Sequence, residues 1–389
     1  AAGVARDEVI EVDGRARRVR VGPHGIAPLA EAEAEAEADA ADHVEGAVVA
    51  AEGTMGNGLV AIRWGESGAL TSVVDLVRDR ELLSDGAPGA VLELAPDRPV
   101  RYDAWDVESW TPALGEPLLD PAEVEVTADG PLVGRVRVSR RFGPSHAVVT
   151  YTLRAGSPRL DIGIELDWQH VEHLLSMVFP LDVRADTAAC DIQFGHVRRP
   201  THPSSSWDAA KFEVCAHRYV DVAEPDFGVA VLNDGRYGHG LFGGRVRVSL
   251  ARSARYPDPD ADHGLHTVDL ALFPHGAGLA EVVAEAERFN SPLRVVSGSA
   301  AAAPAAPVVE LVGTGVEIDA LKPADDGSGD LIIRFHEAVG NRTPVTLRCD
   351  PSIESAVRCN LLEEPIAEPT DAAALTVRPF ELVTLRLTR

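Results

Sequence analysis

A chain of 389 residues is too long for one ordinary domain, and two or three packed units are expected. Its 61 acidic against 36 basic residues give a formal charge of −25, which repels phosphate backbones and anionic lipid heads; nucleic-acid and membrane-surface partners are therefore not expected, while neutral sugars are compatible. No apolar run reaches the roughly 18 residues of a membrane helix, and four cysteines without metal-type spacing suit reduced thiols, so a cytoplasmic protein is expected, with a disulfide between Cys349 and Cys359 left open.

Residues 8 to 21 hold two short strand-like pieces around a turn at Gly14, followed by the acidic Ala/Glu run 31–42, which has no apolar stripe and so nothing to pack with. Residues 1–45 thus read as residual strands and a tether, with the look of a piece cut from a longer chain. From 46 to 298 the text turns to period-two alternation, the mark of half-buried strands. Leu160, Ile162, Ile164 and Leu166 share one face of LDIGIELDW while Asp161, Glu165 and Asp167 share the other; Val136 and Val138, and then Val246, Val248 and Leu250, repeat the pattern. Only 278–290 reads as a helix. A small, proline-bearing stretch places a linker at 299–306, and 307–389 supplies five further strand-like stretches, the last alternating Val383, Leu385 and Leu387 with Thr384 and Arg386. The fold class is all-β: a large antiparallel β-sandwich over 46–298 followed by a small C-terminal β-sandwich.

Several phrases carry a resemblance. NGLVAIRWGESGALTSVVDLVRDRELL from Asn57, FGHVRRPTHPSSSWDAAKFEVCAHRYVDV from Phe194, GVAVLNDGRYGHG, RSARYPDPDADHG, FPHGAG and AEAERFNSPL follow in order, and together they resemble the C-terminal region of family 38 glycoside hydrolases, the α-mannosidases. The tail, with ALKPADDGSGDLIIRFHEAVGN, CNLLEEP and RPFELVTLRL, is similar to that family's closing module. The resemblance implies a mutarotase-like supersandwich. It also implies a retaining enzyme whose carboxylates and zinc ion belong to an N-terminal catalytic domain that nothing here matches. On this basis the chain itself is assigned no catalytic residue, metal ligand or cofactor; its expected partners are that N-terminal domain and a mannoside or oligosaccharide, with a homo-oligomer allowed.

Two stretches are candidates for sugar contact. In LNDGRYGHG, Asn233, Asp234 and Gly235 form a turn that projects Arg236 and Tyr237 from a sheet edge; the resemblance implies a lid over the sugar site, and the bland reading is a hairpin turn. Arg198, Arg199, Thr201 and His202, with Trp207 and Asp208, supply a guanidinium fork, an imidazole and an indole suited to sugar hydroxyls and faces, or else an interdomain contact. The acidic run from Tyr256 to Asp262 fails as an EF-hand loop, because the positions needing Gly and Glu hold His263 and Asp269. The rival functions are a freestanding carbohydrate-binding module using Trp207, Trp168 or Trp105, a mutarotase-like sugar epimerase, and a purely structural half.

Overall fold

The computed structural model describes residues 6–22, 25–29, 33–34, 46–298, 307–372 and 374–388. Among them, every paired strand is antiparallel, and the strands form six sheets. Two α-helices occur in the described residues, α1 (Ser206–Ala209) and α2 (Ala280–Asn290), and no helix is long and apolar enough to cross a membrane.

The frame of the large unit is a nine-stranded sheet centred on Leu160–Trp168 and Gly264–His275, with edges at Glu123–Asp129 and Gly195–Pro200. Its inward residues are the alternating set expected: Val136, Val138, Leu160, Ile162, Ile164 and Leu166 are buried. They meet the inner faces of a six-stranded sheet, with His173–Pro180 and Arg245–Arg252 at its middle, and of a five-stranded sheet that includes Val60–Trp64 and Leu70–Asp75. Each large aliphatic side chain withdrawn from water there contributes about 1.5–3 kcal/mol. Two polar groups inside this core are answered: Tyr151 Oη donates to the Gly68 carbonyl at 3.0 Å, and Trp168 Nε1 donates to Ser253 Oγ. Trp168 is thereby removed from any exposed sugar platform, since none of its surface reaches solvent.

The outer face of the nine-stranded sheet is apolar in one region, where α2 lays Val282, Val283 and Ala286 on Tyr219, Ala230, Leu232, Ala271 and Phe273. The helix starts two residues later than its apolar pattern suggests, because Gly278, at φ +94°, turns the chain into it. The short α1 is an element the apolar periodicity did not reveal, because it has no buried residue. Elsewhere on the large unit, the N-terminal hairpin of Arg6–Val12 and Arg15–Val21 is docked rather than stray: Val9 and Ala16 pack on Leu132, Val133 and Ala155. Glu33–Ala34, inside the acidic run, pairs as a strand with Arg17 and Arg18. The rest of that run, like the linker at 299–306, lies outside the described residues.

Beyond that linker a three-stranded and a five-stranded sheet enclose Ile333, Phe335, Leu347, Val383, Leu385 and Leu387. The stretch VVELVGTGVEI, which reads as one strand, crosses between the two sheets: Val309–Val312 belongs to one and Val316–Pro323 to the other, with Gly315 at φ +71° making the step.

The two units meet at Arg218. Its guanidinium Nε and Nη2 donate to Asp191 of the nine-stranded sheet, both at 3.0 Å. The same group donates to Glu317 of the small unit at 2.8 and 2.9 Å and to Glu287 of α2 at 3.3 Å. Rings close the contact on one side, with Phe194 edge-on to His336 at 5.5 Å and His196 to Phe380 at 5.3 Å. Asp191 is buried and Glu317 nearly so, and neither carboxylate is fully hydrated once its cation is gone. Arg218→Gln is therefore expected to cost about 3 kcal/mol and to split thermal unfolding into two calorimetric transitions, the small unit melting first; a single unshifted transition would contradict this account.

Candidate functional site

The 233–237 loop leaves the strand Gly228–Asn233, and its shape is set by one side chain. Asn233 is fully buried; its Oδ1 accepts from the amides of Gly235 and Arg236, both at 2.9 Å, and its Nδ2 donates to the His217 carbonyl. The Asn233 carbonyl accepts in turn from Asn290 Nδ2 at the end of α2, at 3.1 Å. Asn233 was expected among sugar-contacting groups, yet its amide is fully engaged by backbone and holds the loop rather than lining its surface. The outward groups are the other three. Asp234 is exposed and receives the Asp269 amide on Oδ1 at 3.2 Å; Arg236 is half-buried with Nη2 at 3.5 Å from His266 Nδ1; and the half-exposed Tyr237 ring lies 4.9 Å from that of His217.

Immediately after the loop, His239 on Gly238–Gly240 points into the large core beside Val214 and Val248. Its Nδ1 donates to the Tyr237 carbonyl at 3.0 Å, and its Nε2 has no hydrogen-bond partner among the described residues. Burial pushes its pKa down to about 4, opposed by the bond to Tyr237 and aided by nearby Arg247. A histidine between two glycines in a strand is a visible signal in sequence, but nothing local says that it faces inward.

Arg199 and His202 are elsewhere. Arg199 pairs with Ala188; the neighbouring pair, Ala189 with Asp221, is level with Ala230, three residues short of Asn233. This register separates Arg199 from the loop by about 13 Å along the strands and about 14 Å across three strand spacings. Arg199 faces the core edge beside Cys190, whose thiol burial pushes up to about 12, and Arg199 Nε is buried without a hydrogen bond. His202, with Nδ1 accepting from the Ser204 amide at 3.3 Å, borders a cavity of about 450 Å³ with Asp186, Thr201, Leu241 and Arg245. Ser205 caps α1, its Oγ accepting from the Asp208 amide at 3.1 Å and donating to Asp208 Oδ2 at 2.6 Å, and Trp207 on that helix is exposed. The block from Phe194 is thus divided: its first residues touch the small unit, its middle, at Arg199 and His202, lies away from the loop, and His217 and Arg218 near its end return to the loop and the small unit.

A feature that sequence reasoning did not foresee is the cavity of about 920 Å³ between the N-terminal hairpin and the outer face of the nine-stranded sheet, with Asp234 in its wall beside Asp161, Asp269, Arg154 and Asn290. Its walls come from segments too far apart in sequence for any motif to announce it. Partial desolvation, and then the charges of Asp234 and Asp161, hold the Asp269 carboxyl above the usual range. In the acidic run after Tyr256, Asp258 Oδ1 accepts from the Asp260 amide at 3.0 Å, an ordinary turn. Among the described residues no three His, Cys, Asp or Glu side chains converge as a metal would require, so they do not fit a zinc ion. All four cysteines are free, including Cys349 and Cys359.

Residues 55–260 match the profile of the "Glycosyl hydrolases family 38 C-terminal domain". The chain belongs to family 38. Residues 315–385 of this family 38 chain also match the "Glycosyl hydrolases family 38 C-terminal beta sandwich domain". The chain is similar to Alpha-mannosidase 2C1 of Homo sapiens, 33% identical over 346 residues that cover 86% of this chain and 33% of that protein. It is likewise similar to Alpha-mannosidase G of Dictyostelium discoideum, 32% identical over 351 residues, covering 85% and 32%. The chain thus spans about a third of the length of these relatives. In fold it is similar to an alpha-mannosidase from Enterococcus faecalis V583, with TM-score 0.73 and 19% identity, covering 88% of this chain and 43% of that one.

Two outcomes follow from the loop's anchoring. Asn233→Ala leaves the His217 carbonyl and two loop amides without partners, and is expected to lower unfolding free energy by about 2–3 kcal/mol in urea titration. For His239 the folded pKa lies below the unfolded one, so the unfolded chain binds the extra proton between them and stability falls as pH drops from 6.5 toward 4. Over that window the wild-type protein should lose up to about 3 kcal/mol more than His239→Gln, measured by urea midpoints at several pH values.

Proposed function

We propose that this chain is the C-terminal β-sandwich portion of an α-mannosidase that hydrolyses terminal α-mannosidic bonds with retention, and that it completes the sugar-binding site of an N-terminal catalytic portion. The observation that carries the reading is the preorganised 233–237 loop, in a chain whose family match covers residues 55–260. A buried amide that fixes the backbone of Gly235 and Arg236 leaves little backbone freedom to lose when the Arg236 guanidinium and the Tyr237 hydroxyl meet a ligand.

On this reading the chemistry divides. The carboxylates, and the zinc ion that would hold hydroxyls of the terminal sugar, belong to the catalytic portion. The residues here donate hydrogen bonds, orient the sugar and shield it from water. Arg236 supplies a planar, permanently charged donor to sugar hydroxyls, and Tyr237 an amphipathic ring stiffened by His217. Arg199 and His202, remote from that loop by register, do not share its role; the cavity at His202 is a separate place for a polar ligand group. The four free thiols support a cytoplasmic location.

The test is kinetic. In the full-length polypeptide, Arg236→Ala and Tyr237→Phe are each expected to lower kcat/KM for an aryl α-mannoside by about 10- to 100-fold with thermal stability kept. Unchanged kcat/KM in both would leave the chain a purely structural half, and rapid mannoside hydrolysis by the 389-residue chain alone would overturn the division of labour.

A further inference from the structure

At the end of the large unit that carries the 233–237 loop, three other connections are tied into one rigid crown. The Asp97 amide donates to the Glu172 carbonyl at 2.7 Å, the Glu172 amide to the Ser253 carbonyl at 2.9 Å, and His263 Nε2 lies 3.1 Å from the His170 carbonyl. Asp103 Oδ2 accepts the amides of Arg255 and Tyr256, and Arg252 pairs with Asp97 while donating to the Asp106 carbonyl. Two of these bonds run from backbone to backbone and the others pass through the side chains of Asp97, Asp103, Arg252 and His263, so the loops are tied together without using those of Tyr102, Trp105, Tyr256 or Leu265.

Those side chains face outward. Tyr102, Trp105, Tyr256 and Leu265 are 67, 68, 68 and 87% exposed. The three aromatics, on loops tied through Asp103 and Arg252, together leave roughly 400 Å² of ring surface in water. Surface of this kind on a pinned frame is a cost without a cover. The cavities of about 420, 450 and 920 Å³ are lined by none of these four residues, which favours a broad cover over a small sugar in a pocket. Nor is a second copy favoured, since two chains of charge −25 repel. The rim carries Glu172, bridged by Arg98 at 3.2 Å and Arg255 at 3.7 Å, and the exposed Asp258, Asp260 and Asp262.

We propose that this belt is the face on which the catalytic portion docks, and that the covering surface is apolar at its centre and lined with arginine or lysine where it meets the 258–262 run. The inference rests on the functional reading above. It draws further support from the relatives, two-thirds of whose length lies outside the match and would supply the cover. The belt lies at the same end of the sheets as Tyr237, so docking there would also bring the loop to the sugar.

Hydroxyl-radical footprinting of the full-length polypeptide tests this. Tyr102, Trp105, Tyr256 and Leu265 are expected to label at least about fivefold more slowly than their exposure here implies, while Leu361, Leu362 and Ile366 on the small unit, 62, 79 and 65% exposed, label at full rate. Trp105→Asp with Leu265→Asp should restore labelling of Tyr102 and Tyr256 without unfolding either unit, judged by circular dichroism. Full-rate labelling of the belt in a polypeptide that hydrolyses mannosides would overturn the docking face and leave the functional reading intact. Protection in a polypeptide without mannosidase activity would uphold the face and sink that reading. Protection that rises with protein concentration marks a second copy, and protection that requires added mannotriose marks a sugar platform; either overturns the proposal.

Discussion

One guanidinium connects what the rest of the chain builds separately. The large sheets, the helix on their outer face and the small sandwich each have apolar cores or patches of their own, and Arg218 is the point at which a carboxylate from each converges. A cation with planar, fixed donors suits this role better than a lysine, because two carboxylates are engaged edge-on at once. The neighbouring ring contacts add shape but little direction. The orientation of the small unit is set by this charge geometry, close to the backbone that carries Asn233, together with Ala338 and Val339, which pack into the apolar patch under α2.

That closeness gives the candidate loop its character. The Asn233 amide donates to the Arg218 carbonyl at 3.0 Å, so clamp and loop share a stretch of chain. Asn290, the last residue of α2, adds a second tie from the helix that carries Glu287. Movement of the small unit would be felt at Arg236 and Tyr237 through these two hydrogen-bonded ties, without any long-range pathway through the core.

Much of the frame was legible because a strand with one wet face must alternate. Leu160 to Leu166 and Val383 to Leu387 announce their inward sides with a period of two, and no long-range knowledge is needed to see it. The junction was not legible. Arg218 reaches Asp191, Glu287 and Glu317 across 27, 69 and 99 residues, and each looks like a surface charge in its own neighbourhood. The loop was half legible: an Asn-Asp-Gly triplet after an apolar strand predicts a turn, but whether its asparagine faces solvent or serves as the buried peg depends on His217, brought alongside by strand pairing. Arg199 and His202 failed to join it for the same reason, since their place is decided by register over four strands. His239 shows the limit most plainly, a polar residue whose inward aim is set by the pairing of Gly238–Gly240 with Arg245–Arg252.

The antiparallel order of the nine-stranded sheet has one more consequence. Because neighbouring strands run in opposite directions, every connection leaves at one of two rims, and the ladders between them do not register how long a connection is. Lengthening or trimming the crown segments between Pro96 and Glu116, or between Arg252 and Gly264, would alter reach and contour at one rim while the apolar filling keeps its shape. Such an architecture lets descendants of one ancestor drift in what they grasp without having to reinvent how they fold.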